Sequence, residues 1–182
     1  FDMEYVAGKS FEEFFSIASV NDIEFVVSTL FDYFDTLIST ARNVDATKQI
    51  LDKLDSLKEK SSYPKYIEFL RKYVEDNRMI VPHTFCHGDL TFANIIFHQN
   101  RLFFIDFLDC YVDTFLSDLV KLKQDLYHLW AVHNQDVYTV RIHQIYEYIW
   151  DKLEIRYADY LTESFHILDV INALRIEPYL TS

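Results

Sequence analysis

The chain has 182 residues, half of them hydrophobic and 17% aromatic, which suffices for one domain with a sizeable core and excludes intrinsic disorder. Its formal net charge of −12, from 17 basic and 29 acidic residues, argues against nucleic acid or an anionic membrane surface as a partner. Such a charge is compatible with a neutral or cationic small acceptor. No signal peptide opens the sequence, and no apolar run reaches the ~18–20 residues that span a bilayer.

Taken in chain order, Ser10 caps a short helix with Glu13 three residues on, and Phe11, Phe14, Phe15 and Ile17 give that helix its apolar face. Asn21 or Asp22 opens a longer helix, with Phe25, Val26, Leu30, Phe34 and Leu37 at helical spacing. The stretch from Val44 to Lys60 carries Ile50, Leu51, Leu54 and Leu57 among charges and predicts an amphipathic helix. Tyr63 to Glu75 predicts another, with Pro64 tolerated in its first turn. Ile80 to Cys86 is apolar and β-prone. Asn94 to Phe97 and Leu102 to Ile105 then read as two strands joined by a turn at His98-Gln99-Asn100-Arg101. Three helices follow, predicted over Thr114 to His133, Val137 to Glu154 and Tyr160 to Leu174. The expectation is a mainly α domain of the α+β class, with one small β-hairpin region and no parallel sheet. Cys86 and Cys110 stand outside any C-x-x-C pattern and read as reduced thiols.

The chemistry gathers around the hairpin. Cys86-His87-Gly88-Asp89-Leu90-Thr91-Phe92-Ala93-Asn94 reads H-G-D-x-x-x-x-N, and Ile105-Asp106-Phe107 follows about a dozen residues on. A transferring phosphoryl group spreads negative charge, so a protein catalyses mainly by positioning and neutralising. Mg²⁺ takes oxygen ligands, and an Asp with an Asn supplies them with one protein charge. A separate carboxylate must face the acceptor hydroxyl. The hairpin delivers Asn94 at its start and Asp106 just past its end. A hydrolytic metal site built from His83, His87 and Asp89 is the other chemical reading, though no further His-rich motif supports it. The bland reading is that Asp and Asn merely make turns.

These segments resemble the aminoglycoside phosphotransferase and choline kinase family, the small-molecule relatives of the protein kinases. The resemblance implies that Asp89 is the catalytic base and that Asn94 and Asp106 hold Mg²⁺. It implies that His87 braces the loop and that Asp118 hydrogen-bonds the loop backbone. By the same likeness Phe1 to Ser10 is similar to the hinge, so Met3, Glu4, Tyr5 and Val6 would contact the adenine of ATP. The chain then reads as one domain over 1–182, a C-terminal lobe beginning at the hinge (1–9), with its N-terminal lobe missing.

Only Gly8 and Gly88 occur, so neither a Walker A loop nor a G-x-G-x-x-G loop is present, and Lys9 cannot replace a phosphate-binding strand Lys. These residues alone are therefore expected to transfer phosphate poorly, and the face near Phe1–Val6 to favour self-association. The segment from Ile105 to Leu122 is most similar to bacterial phosphotransferases encoded beside surface-polysaccharide enzymes. The function implied is ATP- and Mg²⁺-dependent phosphorylation of a small hydroxyl compound such as choline, a sugar or an aminoglycoside-like polyol, in the cytoplasm. Tyr111, Tyr127, Trp130, Tyr146 and Trp150 are candidates for an aromatic cage around a quaternary ammonium. The alternative function is a non-catalytic kinase-like scaffold or regulatory module.

Overall fold

Helix α2 (Val20–Ser39) shows how the chain's local signals become structure. Ser19 caps it, with the Ser19 Oγ accepting from the Asp22 N–H at 3.3 Å and the Asp22 carboxylate accepting from the Ser19 N–H at 2.7 Å. This reciprocal box starts the helix ahead of Asn21 and leaves Val26, Val27, Leu30 and Phe34 on the buried face. The computed structural model describes residues 7–130 and 140–180. The hinge candidates Met3, Glu4, Tyr5 and Val6 lie outside the described residues, as does the Phe1–Val6 face.

Around α2 the remaining elements run in the order α1 (Phe11–Ile17), β1 (Arg42–Asp45), α3 (Thr47–Lys58), α4 (Pro64–Asp76), β2 (Ile80–His83), β3 (Ile95–His98), β4 (Arg101–Phe104), α5 (Phe115–Leu126), α6 (Val140–Arg156) and α7 (Glu163–Leu180). The domain is mostly helical, with two small antiparallel strand pairs and no parallel pairing among the described residues. Helices α3 and α4 pack on each other, while α5 packs on both α6 and α7. No helix among the described residues is long and apolar enough to cross a membrane.

One strand pair was not anticipated. Arg42–Asp45 pairs with Ile80–His83, so the helix expected from Val44 begins only at Thr47. Local periodicity favoured helix at Val44, but the exposed β2 backbone needed a partner, and long-range pairing overrode propensity. Asp45 ends the strand and serves the helix, its Oδ1 accepting from the Thr47 N–H at 3.0 Å. The other pair is the expected hairpin, β3 to β4, with Ile95 opposite Phe104 and His98 opposite Arg101. Gln99 and Asn100 turn it with φ of 44° and 56°, the double left-handed geometry of a tight two-residue connection. A short antiparallel bridge between Lys9 and Phe97 extends this edge.

Beneath the hairpin lies an aromatic cluster. Phe92 is wholly buried, stacked on Tyr146 at 5.4 Å and edge-on to Phe15 at 5.2 Å. Phe97 stacks on Phe14 at 4.3 Å. Arg141 of α6 donates to the carbonyls of Phe15 and Ala18, closing the C-terminal end of α1. The tail Leu174 to Tyr179 is helical, so α7 runs past the predicted end at Leu174 and includes Pro178.

Candidate active site

The loop from Cys86 to Asn94 is irregular, yet its backbone is held at several points. Asp118, fully buried in the first turn of α5, accepts from the His87 N–H at 2.8 Å and the Gly88 N–H at 2.9 Å. The Tyr33 hydroxyl donates to the same carboxylate at 2.7 Å. Burial pushes the Asp118 carboxyl above the usual range, and the donated hydrogen bonds from His87, Tyr33 and Gly88 oppose that. Burial likewise raises the Tyr33 hydroxyl, with the Asp118 charge adding to it.

Seven residues on, Asp125 is also fully buried, and its Oδ2 accepts from the Phe92 N–H at 2.7 Å. Between them Lys121, 6% exposed, reaches the loop and places Nζ 2.7 Å from Asp89 Oδ1. Positions 118, 121 and 125 share one face of a helix, so α5 grips the loop at both ends and at its centre. Sequence reading missed Lys121 and Asp125. The available signal was three ionisable residues at i, i+3 and i+7 in a helix otherwise lined by Phe115, Leu116, Leu119 and Leu122. A buried charge needs a partner, so such a stripe points to one.

His87 is fully buried, and its Nδ1 accepts from the Asp89 N–H at 3.3 Å. Its ring packs on Phe107 at 4.2 Å between centroids. Gly88 takes a φ of +85°, where a Cβ would stand 2.0 Å from the Leu108 carbonyl oxygen. Only glycine allows this turn and this approach together. The approach also brings two cysteines together. Cys86 and Cys110, expected as two reduced thiols, lie side by side with 7.2 Å between their Cα atoms, because the Gly88 turn lays 86–88 along 108–110. The Leu108 N–H donates to the His87 carbonyl at 2.9 Å in the same contact.

Asn94 closes the loop. Its Nδ2 donates to the Asp89 carbonyl at 2.8 Å and to Asp89 Oδ2 at 3.1 Å. The amide nitrogen is thereby spent on Asp89, which leaves the Asn94 Oδ1 without a donor among the described residues. Across the hairpin the Ile105 N–H donates to the Asn94 carbonyl at 3.0 Å, so the chain delivers Asp106 beside Asn94. Asp106 is exposed and has a φ of +59°, a left-handed conformation that is uncommon outside glycine and concentrates at functional sites. No hydrogen bond or ion pair among the described residues occupies its carboxylate. One carboxylate and one amide oxygen with no protein donor on either is a donor set that suits Mg²⁺.

The other sequence candidates are dispersed. His83 sits in β2 opposite Arg42, and among the described residues His83, His87 and Asp89 do not bring their ligand atoms together. The hydrolytic metal reading therefore has no geometric basis. The aromatic candidates form no cage. Tyr146 is core, Tyr111 lies under Lys53, and Tyr127 and Trp150 already face the ammonium of Lys123 at 5.5 and 5.8 Å.

No curated protein and no solved structure matches the chain. A sequence model of the phosphotransferase enzyme family, APH, matches residues 27–156, from within α2 to the end of α6. That span contains the gripped loop, the hairpin and the three-point face of α5, and it exceeds two thirds of the chain. By this match the chain belongs to the phosphotransferase enzyme family.

Proposed function

We propose that the protein transfers the terminal phosphoryl group of ATP to a hydroxyl of a small molecule, with Asp89 as the base. The observation that carries this reading is the arrangement of Asp89, Asn94 and Asp106 around one hairpin mouth, with Asp89 held from both sides by Lys121 and Asn94. Each carboxylate oxygen has two acceptor directions, so Asp89 can keep these partners and still accept from a substrate hydroxyl. In the transfer, the acceptor oxygen forms a bond to the γ-phosphorus as the bond to the β–γ bridging oxygen breaks. ADP departs with that electron pair, and the hydroxyl proton passes to Asp89.

Asn94 and Asp106 are the residues that would hold Mg²⁺. Bound there, the ion would neutralise phosphate charge. Asp118 and His87 act on the loop rather than on substrate: they fix the backbone that aims Asp89. Such alignment matters because a small misplacement of a reacting group costs much of the rate.

The test uses the full-length protein. Asp89→Asn is expected to abolish most phosphate transfer from ATP while calorimetry shows Mg·ATP binding largely kept. Asp106→Asn is expected to weaken the metal-dependent binding as well. Full turnover by Asp89→Asn, or unchanged binding in Asp106→Asn, overturns the assignment.

A further inference from the structure

A cavity of about 180 Å³ opens beside the catalytic-type loop, with Gly88 and Lys121 in its wall. It is smaller than the roughly 300–1,000 Å³ pockets that hold drug-sized ligands, which suits a compound of sugar size. Lys53 of α3 and Arg175 of α7 converge on it from opposite elements. Both are partly buried, and neither side chain makes a hydrogen bond or ion pair among the described residues. Lys53 instead lies over the Tyr111 ring at 5.4 Å. Burial, and then the neighbouring Arg175 charge, depress the Lys53 ammonium.

This pairing is unusual for a chain of net charge −12. Acidic side chains outnumber basic ones, yet two cations meet in a cleft without a carboxylate between them. The single acid in the wall is Asp109, which is exposed. The third cation, Lys121, is already neutralised by Asp89. Like charges converging at a partly desolvated site are unfavourable unless an anion joins them. A guanidinium matches the geometry of a carboxylate or phosphate with two parallel hydrogen bonds. Asn172, whose Nδ2 is held by Gln124 at 2.9 Å, adds a fixed amide to the same wall. Lys121 links the two regions, since it lines this cavity and touches Asp89.

We propose that this cavity binds an anionic acceptor, a sugar-sized hydroxyl compound whose carboxylate or phosphate sits on Arg175 and Lys53 with a hydroxyl turned toward Asp89. The inference rests on the phosphotransferase reading of Asp89 for its last clause. The anion site itself stands on Lys53 and Arg175.

The test is calorimetry on the full-length protein with four probes: gluconate and glycerol 3-phosphate as anions, sorbitol and choline as uncharged and cationic controls. Both anions are expected to bind more tightly than either control, and the tighter of the two tells whether the group recognised is carboxylate or phosphate. Lys53→Gln and Arg175→Gln are each expected to weaken anion binding about tenfold, or about 1.4 kcal/mol. Arg175→Lys should retain most of it. Melting curves check that each variant is folded, and Lys53→Gln answers alone if Arg175→Gln does not fold. Absent anion binding, equal binding of sorbitol or choline, or anion affinity indifferent to both substitutions overturns the proposal. Asp89→Asn separates it from the underlying reading: that variant should still bind the anions. Kept anion binding with undiminished transfer would sink the role of Asp89 and leave the anion site standing.

Discussion

Lys121 Nζ lies 2.7 Å from Asp89 Oδ1, with the lysine side chain 8% exposed and the aspartate 30% exposed. A buried ammonium is costly unless paired, and here its partner is the residue proposed to act as base. The pair fixes one carboxylate oxygen while Asn94 Nδ2 sits 3.1 Å from the other. The carboxylate plane is thereby set from α5 on one side and from the start of the hairpin on the other.

Replacing Lys121 should therefore disturb orientation more than nucleotide affinity. Lys121→Met is expected to lower kcat by about 10- to 100-fold, equivalent to about 1.4–2.8 kcal/mol. The KM for ATP should stay within about threefold. Steady-state kinetics on the full-length protein check this, with Lys121→Arg as the conservative variant expected to recover part of kcat. A fall in KM-linked affinity without a fall in kcat would contradict the positioning role.

Asp118→Ala removes the acceptor for two backbone N–H groups and the Tyr33 hydroxyl in one step. Each buried donor left without a partner costs about 1–3 kcal/mol. A loss of about 2–5 kcal/mol of unfolding free energy is expected, measured by denaturant titration. Unchanged stability would show that water replaces the carboxylate in that space.

Gly88→Ala meets two obstacles together. The new Cβ would fall 2.0 Å from the Leu108 carbonyl, and the φ of +85° strains any L side chain. Backbone on both sides must shift, so Asp89 moves with it. A lower melting temperature together with loss of most transfer activity is expected. Because a left-handed backbone alone costs only about 1–2 kcal/mol, a larger loss reports the clash.

Acid should loosen the corner between β1 and α3. Hydrogen bonds from Thr47, and then from Arg78, hold the Asp45 carboxyl down to about 2 from 3.8. The folded value is below the unfolded one, so the stabilisation is present above about pH 3.8 and is lost as pH falls toward 2. Asp45→Asn is expected to flatten the pH dependence of stability in that window, read from melting curves between pH 5 and pH 2. An identical acid transition in both proteins would show that other carboxylates govern it.

The sequence by itself determined the helices, the hairpin and which polar residues the loop carries. Amphipathic spacing is local, so α2, α4 and α6 followed from it with ends shifted by a few residues. The gap between Asn94 and Asp106 matched a hairpin, and two strands of fixed pleat bring such ends together. Only the tertiary structure decided what lies across from each segment. The β1–β2 pairing spans two helices, and no local signal at Val44 reports a partner at Val81. The approach of Cys86 to Cys110 needed the Gly88 turn against Leu108, and the cavity beside that turn needed α3 and α7 to bring Lys53 and Arg175 to its lining. Lys121 stands between these cases: its helical spacing from Asp118 was in the sequence, but its aim at Asp89 depends on how α5 docks beneath the loop. Periodicity tells which face of an element is buried, whereas the group that each buried charge meets is fixed by the packing of distant elements.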